Sequence, residues 1–321
     1  MYFDQSTKIY VAGHRGLVGS AICRELNKQG YQNIITKTHQ ELDLQDGHKT
    51  EEFICDTKPD IVFLAAAKVG GIQANNIFPV DFLANNLEIQ SNVIKSSYKA
   101  NVKRLLFLGS SCIYPKNCPQ PIKEEYLLTS ELEPTNRPYA IAKIAGVEMC
   151  WAYNRQFNTN YLAAMPTNLY GPHDNYDLET SHVLPALIRK IHEAKIKNLP
   201  TVEIWGSGNP KREFLYSDDL ASSLIHLMNL EEGSYKAITN PNNVPLINIG
   251  TGSDVSISDL AKLIKDIVRF EGDFVFNKSM PDGTPQKLLD VDKLSNLGWS
   301  YQTNLKSGLQ KTYQWFLEND V

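Results

Sequence analysis

No run of residues in this sequence approaches the roughly 18 consecutive apolar residues that a membrane helix needs. The amino terminus is polar before it enters its first apolar stretch, so no secretory leader and no membrane anchor are expected. Cysteine is scarce. The five present, Cys23, Cys55, Cys112, Cys118 and Cys150, are odd in number and widely spaced, and none forms a CxxC pair. That argues against a disulfide framework and a zinc site, predicts no bound metal, and fits a reducing, cytoplasmic compartment. Charge of one sign is missing too. Lys and Arg number 32 against 36 Asp and Glu, a formal net charge of -4, which offers no basic surface to nucleic acid or lipid. Internal repeats and low-complexity stretches are absent. What remains is ordinary globular composition in 321 residues, enough for one large or two intimate domains.

In the first half, short apolar runs alternate with amphipathic stretches. Lys8 to Ala12 reads as a strand ending at Gly13, and residues 17–29 as a helix with Val18, Ile22 and Leu26 on one face. Further strands are predicted at Asn33–Thr36, Ile61–Ala65, Leu105–Leu108 and Tyr161–Met165, with helices at Asn85–Lys99 and Tyr139–Phe157. Parallel strands need a crossover, so this alternation predicts βαβ units: an α/β, Rossmann-like, doubly wound parallel sheet. After Pro166 the texture changes. Segments 166–175 and 206–213 are rich in Gly, Pro and Asn and read as loops. A helix is predicted over Ser217–Leu230, a strand over Pro245–Ile249, and a helix over Ser256–Phe270 with Ser258 as a candidate cap. The expected division is a cofactor-binding domain over 1–170 with returning segments at about 213–252. A smaller, interleaved α/β substrate domain would take 171–212 and 253–321.

Gly13-His14-Arg15-Gly16-Leu17-Val18-Gly19 is a GxxGxxG variant, placed directly after a predicted strand and opening a predicted helix. Glycine permits the tight turn and a close approach of backbone to a pyrophosphate, and the helix start offers free N–H groups. A glycine-rich turn alone is weak evidence. Its strand–turn–helix setting makes it a dinucleotide site. An NAD site usually ends its second strand on an acid that bonds the ribose 2′-hydroxyl. Here that end reads Lys37-Thr38-His39, with no acid before Glu41, and Arg15 sits in the glycine turn. Cations there favour a 2′-phosphate, so the cofactor is read as NADP(H).

Tyr139-Ala140-Ile141-Ala142-Lys143 is a YxxxK motif, and i, i+4 spacing puts both ends on one helix face. A free phenol has a pKa of about 10, and a neighbouring ammonium is expected to lower it. The fourth strand ends in Leu108-Gly109-Ser110-Ser111-Cys112-Ile113-Tyr114-Pro115, where a serine at the carboxyl end of a parallel strand faces the ligand crevice. Ser110 or Ser111 can hydrogen-bond a carbonyl, completing a Ser–Tyr–Lys set.

The glycine turn, SSCIYP and YAIAK together resemble the extended short-chain dehydrogenase/reductase family. Further stretches narrow the resemblance to its GDP-sugar epimerase–reductases. These are Ala65–Ile72, Met165–Asn175, Ser181–Leu187, Trp205–Gly208, Arg212–Leu215 and Pro281–Lys287. That branch implies 3,5-epimerisation and NADPH-dependent 4-reduction of GDP-4-keto-6-deoxy-D-mannose to GDP-L-fucose. It implies Cys112 and His182 as the proton-exchanging pair, with Ser110 as the catalytic serine beside Tyr139 and Lys143. It further implies cofactor contacts at Leu108, Gly109, Ser111, Pro166, Thr167, Asn168, Leu169 and His182 besides the glycine turn, Lys37 and His39. Lys190, Trp205, Arg212, Asp282 and Lys287 would bind the GDP-sugar, and helices 85–99 and 139–157 would form a homodimer. Two positions depart from the branch: His39 and Lys190 stand where arginine is frequent. The alternatives are another nucleotide-sugar epimerase or dehydratase of the same family, or a non-catalytic NADP-binding scaffold. The acidic pair typical of dehydratases is missing from SSCIYP, and a scaffold would be expected to lose Tyr139 or Lys143.

Overall fold

The computed structural model describes residues 3–280 and 282–320, so Pro281 of the Pro281–Lys287 stretch lies outside the described residues. In chain order the elements begin with β1 (Ile9–Ala12), α1 (Leu17–Lys28), β2 (Ile34–Ile35), α2 (Gly47–Thr57), β3 (Ile61–Leu64), α3 (Ile72–Ile77) and α4 (Pro79–Lys99). They continue with β4 (Arg104–Leu108), α5 (Arg137–Phe157), β5 (Tyr161–Pro166), β6 (Asn168–Tyr170), α6 (Val183–Ile196), β7 (Thr201–Trp205), β8 (Lys211–Tyr216), α7 (Ser217–Met228) and α8 (Glu232–Ile238). The last are β9 (Leu246–Ile249), β10 (Asp254–Ser256), α9 (Ile257–Val268), β11 (Asp273–Asn277), β12 (Gln286–Lys287), α10 (Asp292–Asn296) and α11 (Leu305–Asn319).

The main sheet has six strands in the order β2-β1-β3-β4-β5-β9, all pairs parallel. Helices cover both faces, so its strands read as unbroken apolar runs rather than alternating ones. Strand β1 shows why. Ile9 and Val11 enter one buried cluster with α1 and α7, while Tyr10 and Ala12 enter the other. The strand order reverses between β1 and β3, and a ligand crevice opens there beyond the carboxyl ends. The predicted strands and helices of the first half stand within a few residues of their expected ends. The α4 helix starts earlier than expected because Pro79 supplies a preorganised first turn.

The second half corrects three expectations. The 166–175 stretch is not all loop: Asn168–Tyr170 is β6, paired parallel with β8. Within 206–213, residues from Lys211 onward belong to β8, which also pairs with β10 and β12. β6 is three residues long and β8 begins among turn residues, so pairing partners distant in sequence decide their conformation. The cap of α9 is Ser256, whose hydroxyl accepts from Asp259 N, rather than Ser258. A third buried cluster joins α6, β7, α9 and α11 on this side of the molecule.

Candidate active site

Two glycines set how closely the catalytic elements approach. A side chain on Gly146 of α5 would collide with the Phe107 ring, and one on Gly109 with the Met165 thioether. With Gly146 bare, α5 lies against β4, and Lys143 Nζ donates to the Leu108 carbonyl at 2.8 Å. Lys143 is 3% exposed. Burial lowers its pKa to about 8, with the charge of Cys112 acting the other way. One helical turn earlier, Tyr139 places its ring centroid 5.7 Å from that nitrogen and packs edge-on against Phe82.

Ser110 joins the two halves of the site. Its hydroxyl lies beside both the Tyr139 phenol and the Cys112 thiol and favours the ionised form of each. Cys112 follows in a tight turn, Ser111–Ile113, and is buried. Burial pushes its thiol up, while Lys287, Ser110 and Lys143 pull it down. Tyr139 corrects an expectation. Desolvation is the largest cause, the Cys112 charge adds to it, Ser110 opposes both, and the phenol is pushed well above its ordinary value. At neutral pH it is therefore held protonated, as a proton donor must be.

His182 stands at the amino terminus of α6, where its side chain caps nothing. It is exposed to solvent, although protein atoms crowd around the ring. Desolvation first and the Lys287 charge second lower its pKa, keeping the imidazole neutral. Lys287 itself comes from β12, paired with Arg212 of β8, and burial lowers its pKa, with Arg212 as a like charge beside it. Ser110, Cys112, Tyr139, Lys143, His182 and Lys287 thus form one interacting group. The family resemblance implied Lys287 only as a GDP-sugar ligand. Only the β8–β12 pairing brings it to the thiol.

The remaining candidates sit further out. Lys190 Nζ lies 4.8 Å from the Trp205 ring centroid, and Trp205 is 49% exposed. Arg212 is half-buried and donates to the Lys211 carbonyl at 2.7 Å. The Asp282 carboxylate is committed locally, accepting from Ser207 N at 2.6 Å and from its hydroxyl at 2.8 Å.

The glycine turn makes a cradle. Gly13 has φ +86, and a side chain there would strike the Ala66 backbone. One on Gly19 would strike the Gly13 carbonyl. The turn therefore closes tightly enough to aim the start of α1 into the crevice. Gly16 caps α1 without a side chain, no acid occupies the first turn, and buried His14 Nδ1 has no partner. These unfilled donors suit an anionic dinucleotide. Leu17 and Val18 are half-buried at the helix start, and Ser111, Pro166 and Thr167 are buried at the carboxyl ends of β4 and β5. Asn168 and Leu169 follow at the start of β6, half-buried. Arg15 is exposed and makes no hydrogen bond or ion pair among the described residues. Lys37 and His39 are engaged, with Glu41 at 3.5 Å and Asp43 at 3.7 Å. Of the three groups predicted at the ribose, Arg15 is the uncommitted one.

Residues 9–240 match the NAD dependent epimerase/dehydratase family. The chain belongs to this family. Its relatives include GDP-L-fucose synthase 1 of Arabidopsis thaliana, 54% identical over 98% of this chain and 95% of that protein. GDP-L-fucose synthase of Escherichia coli is 52% identical over 97% of each. Among solved structures, the GDP-mannoheptose C4 reductase MlghC from Campylobacter jejuni, with NADP bound, is 41% identical. It superposes with a TM-score of 0.89, over 98% of this chain and 99% of that one. Epimerase-family members share the fold but not one chemistry, so the reaction has to be argued from the site. Among the described residues no group of three or more His, Cys, Asp or Glu could hold a metal ion, and no helix is long and apolar enough to cross a membrane.

Proposed function

We propose that this chain is a GDP-L-fucose synthase, an NADP(H)-dependent oxidoreductase that epimerises GDP-4-keto-6-deoxy-D-mannose at C3 and C5 and reduces it at C4. One observation carries the reading: the Ser110 hydroxyl lies beside both the Tyr139 phenol and the Cys112 thiol, so reduction and proton exchange share one centre. The 4-keto group acidifies the C3 and C5 protons. Cys112 and His182 exchange them, one taking a proton while the other gives one on the opposite face. Ser110 and Tyr139 hold the C4 oxygen and stabilise the enolate that forms. NADPH supplies the hydride to C4. Tyr139 then protonates the alkoxide, with Lys143 beside it and anchored to Leu108.

The glycine turn, residues 108–111 and residues 166–169 hold the cofactor, with Arg15 on the 2′-phosphate. His182 also contacts the cofactor, and Lys37 and His39 flank its ribose. Arg212 and Lys287 meet the diphosphate side, while Lys190 and Trp205 hold the base or sugar. Asp282 acts through the Ser207 loop. The cofactor domain spans 1–170 and about 213–252, and the substrate domain 171–212 and 253–321. The chain works in the cytoplasm as a homodimer through α4 and α5, whose Tyr98 and Phe157 are stacked at 4.4 Å and partly exposed. The test is incubation with GDP-4-keto-6-deoxy-D-mannose and NADPH, following NADPH oxidation and product NMR. GDP-L-fucose is expected; an unepimerised 6-deoxy sugar or no oxidation overturns the reading.

A further inference from the structure

Glu213 lies between Arg212 and Phe214 on β8 and is 0% exposed, yet no step above uses it. A buried carboxylate is costly unless it is hydrogen-bonded. Here both oxygens accept backbone N–H groups, which oppose the burial that pushes the carboxyl pKa up. Oε1 accepts from Thr251 N at 2.5 Å and Gly252 N at 2.8 Å, and Oε2 from Leu289 N at 2.9 Å. The same residue's carbonyl accepts from Thr167 Oγ1 at 3.2 Å and Asn168 Nδ2 at 2.8 Å. A side chain on Gly250 would strike this carboxylate, so the 250–252 turn is shaped around it. Three separate segments converge on one side chain and its backbone.

The segment at Leu289 matters most. β12 is only two residues long, paired to β8 at Gln286–Lys211 and Lys287–Arg212. So short a strand holds its register poorly alone. Beyond it, Leu288 N donates to Gln120 Oε1, and Ile122 N to the Leu288 carbonyl, tying it to the chain that follows Cys112. The Glu213–Leu289 bond fixes the other side.

We infer that Glu213 is a positioning residue: its buried carboxylate locks β12 onto β8, so that the Lys287 ammonium stands against Cys112 and His182 and sets their proton exchange. This rests on the reading above. The groups facing Cys112 are Ser110, Tyr139, Lys143 and Lys287, and Lys287 also faces His182, Arg212, Cys118 and Glu133. A cation lowers the pKa of a thiol and of an imidazole alike. Withdrawing it moves the exchange profile to higher pH, whichever of the two takes the proton.

The experiment measures deuterium incorporation at C3 and C5 of GDP-4-keto-6-deoxy-D-mannose against pH, in heavy water with NADP+ bound. Wild type, Glu213→Gln, Lys287→Met and the double variant are compared. NADPH affinity and thermal unfolding are recorded for each. Gln keeps the shape but presents N–H to one of the donors. Glu213→Gln is expected to move the profile up by about one pH unit, with NADPH affinity held. The double variant should be no slower than Lys287→Met, because one acts through the other. An unshifted profile in a folded Glu213→Gln, or losses that add in the double variant, overturns the inference. Should Glu213→Gln unfold, an unshifted profile in Lys287→Met overturns it as well. Absence of exchange in the wild type instead refutes the underlying reading.

Discussion

On one wall of the site, Ser110, Cys112, Tyr139 and Lys143 come from the stretch between the end of β4 and the first turns of α5. On the facing wall, His182, Lys190, Arg212 and Lys287 come from α6, β8 and β12, elements far apart in the chain. The first wall is built by local rules. A strand end aims Ser110, helical spacing aligns Tyr139 with Lys143, and the bare Gly146 lets α5 approach β4. The second wall exists only because short strands pair across large sequence separations and one buried carboxylate holds them. Chemistry that lives on one supersecondary unit is robust to changes elsewhere. Electrostatics delivered by pairing is tunable and fragile.

The largest effect should come from the local wall. Tyr139→Phe removes the donor for the alkoxide but keeps the ring against Phe82. NADPH oxidation is expected to fall about 10²–10⁴-fold, about 3–5 kcal/mol of barrier, with NADPH binding kept. Stopped-flow absorbance against the ketosugar checks this, and undiminished oxidation would remove Tyr139 from the chemistry.

Next comes a pH limb. Lys143 is held at about 8, below an ordinary lysine. Its ammonium is present below that value and lost as pH rises through it. Reduction should therefore decline above about pH 8, by about tenfold per unit once the ammonium carries the step. Lys143→Arg, whose guanidinium stays charged, should lose that limb. A limb that persists in the arginine variant would assign it to another group.

The smallest expected effect tests the cofactor end. Arg15→Ala should weaken NADPH about tenfold or more, the scale of one charge-assisted hydrogen bond, and leave NADH nearly unchanged. Equal losses for both would place Arg15 at the pyrophosphate instead. Lys37→Ala should matter less than Arg15→Ala, since Glu41 already engages Lys37.

The same contrast explains what could be read from the sequence. Apolar runs of four or five residues marked β1, β3 and β4, and their alternation with helices required a parallel sheet. The YxxxK spacing and the strand-end serines needed no partner to be seen. By contrast, β6 and β12 are three and two residues long, inside stretches of Gly, Pro and Asn. No periodicity fits in such lengths. Glu213 carried no signal because a lone acid beside an arginine reads as surface charge. Its meaning lies in donors at positions 251, 252 and 289. The rise in the Tyr139 pKa was likewise hidden, because spacing reports the neighbouring lysine but not how much water the site excludes.

The central claim is that one centre runs two separable reactions through Ser110. Cys112→Ser tests it most directly, since a hydroxyl has nearly the same size but far higher proton affinity. With ketosugar and NADPH in heavy water, the wild type should place deuterium at C3 and C5 and reduce C4. Cys112→Ser should lose that deuterium by at least about 10²-fold while NADPH oxidation continues, giving an unepimerised 6-deoxy sugar by NMR. Deuterium at both carbons at the wild-type rate would contradict the account and leave Cys112 as packing.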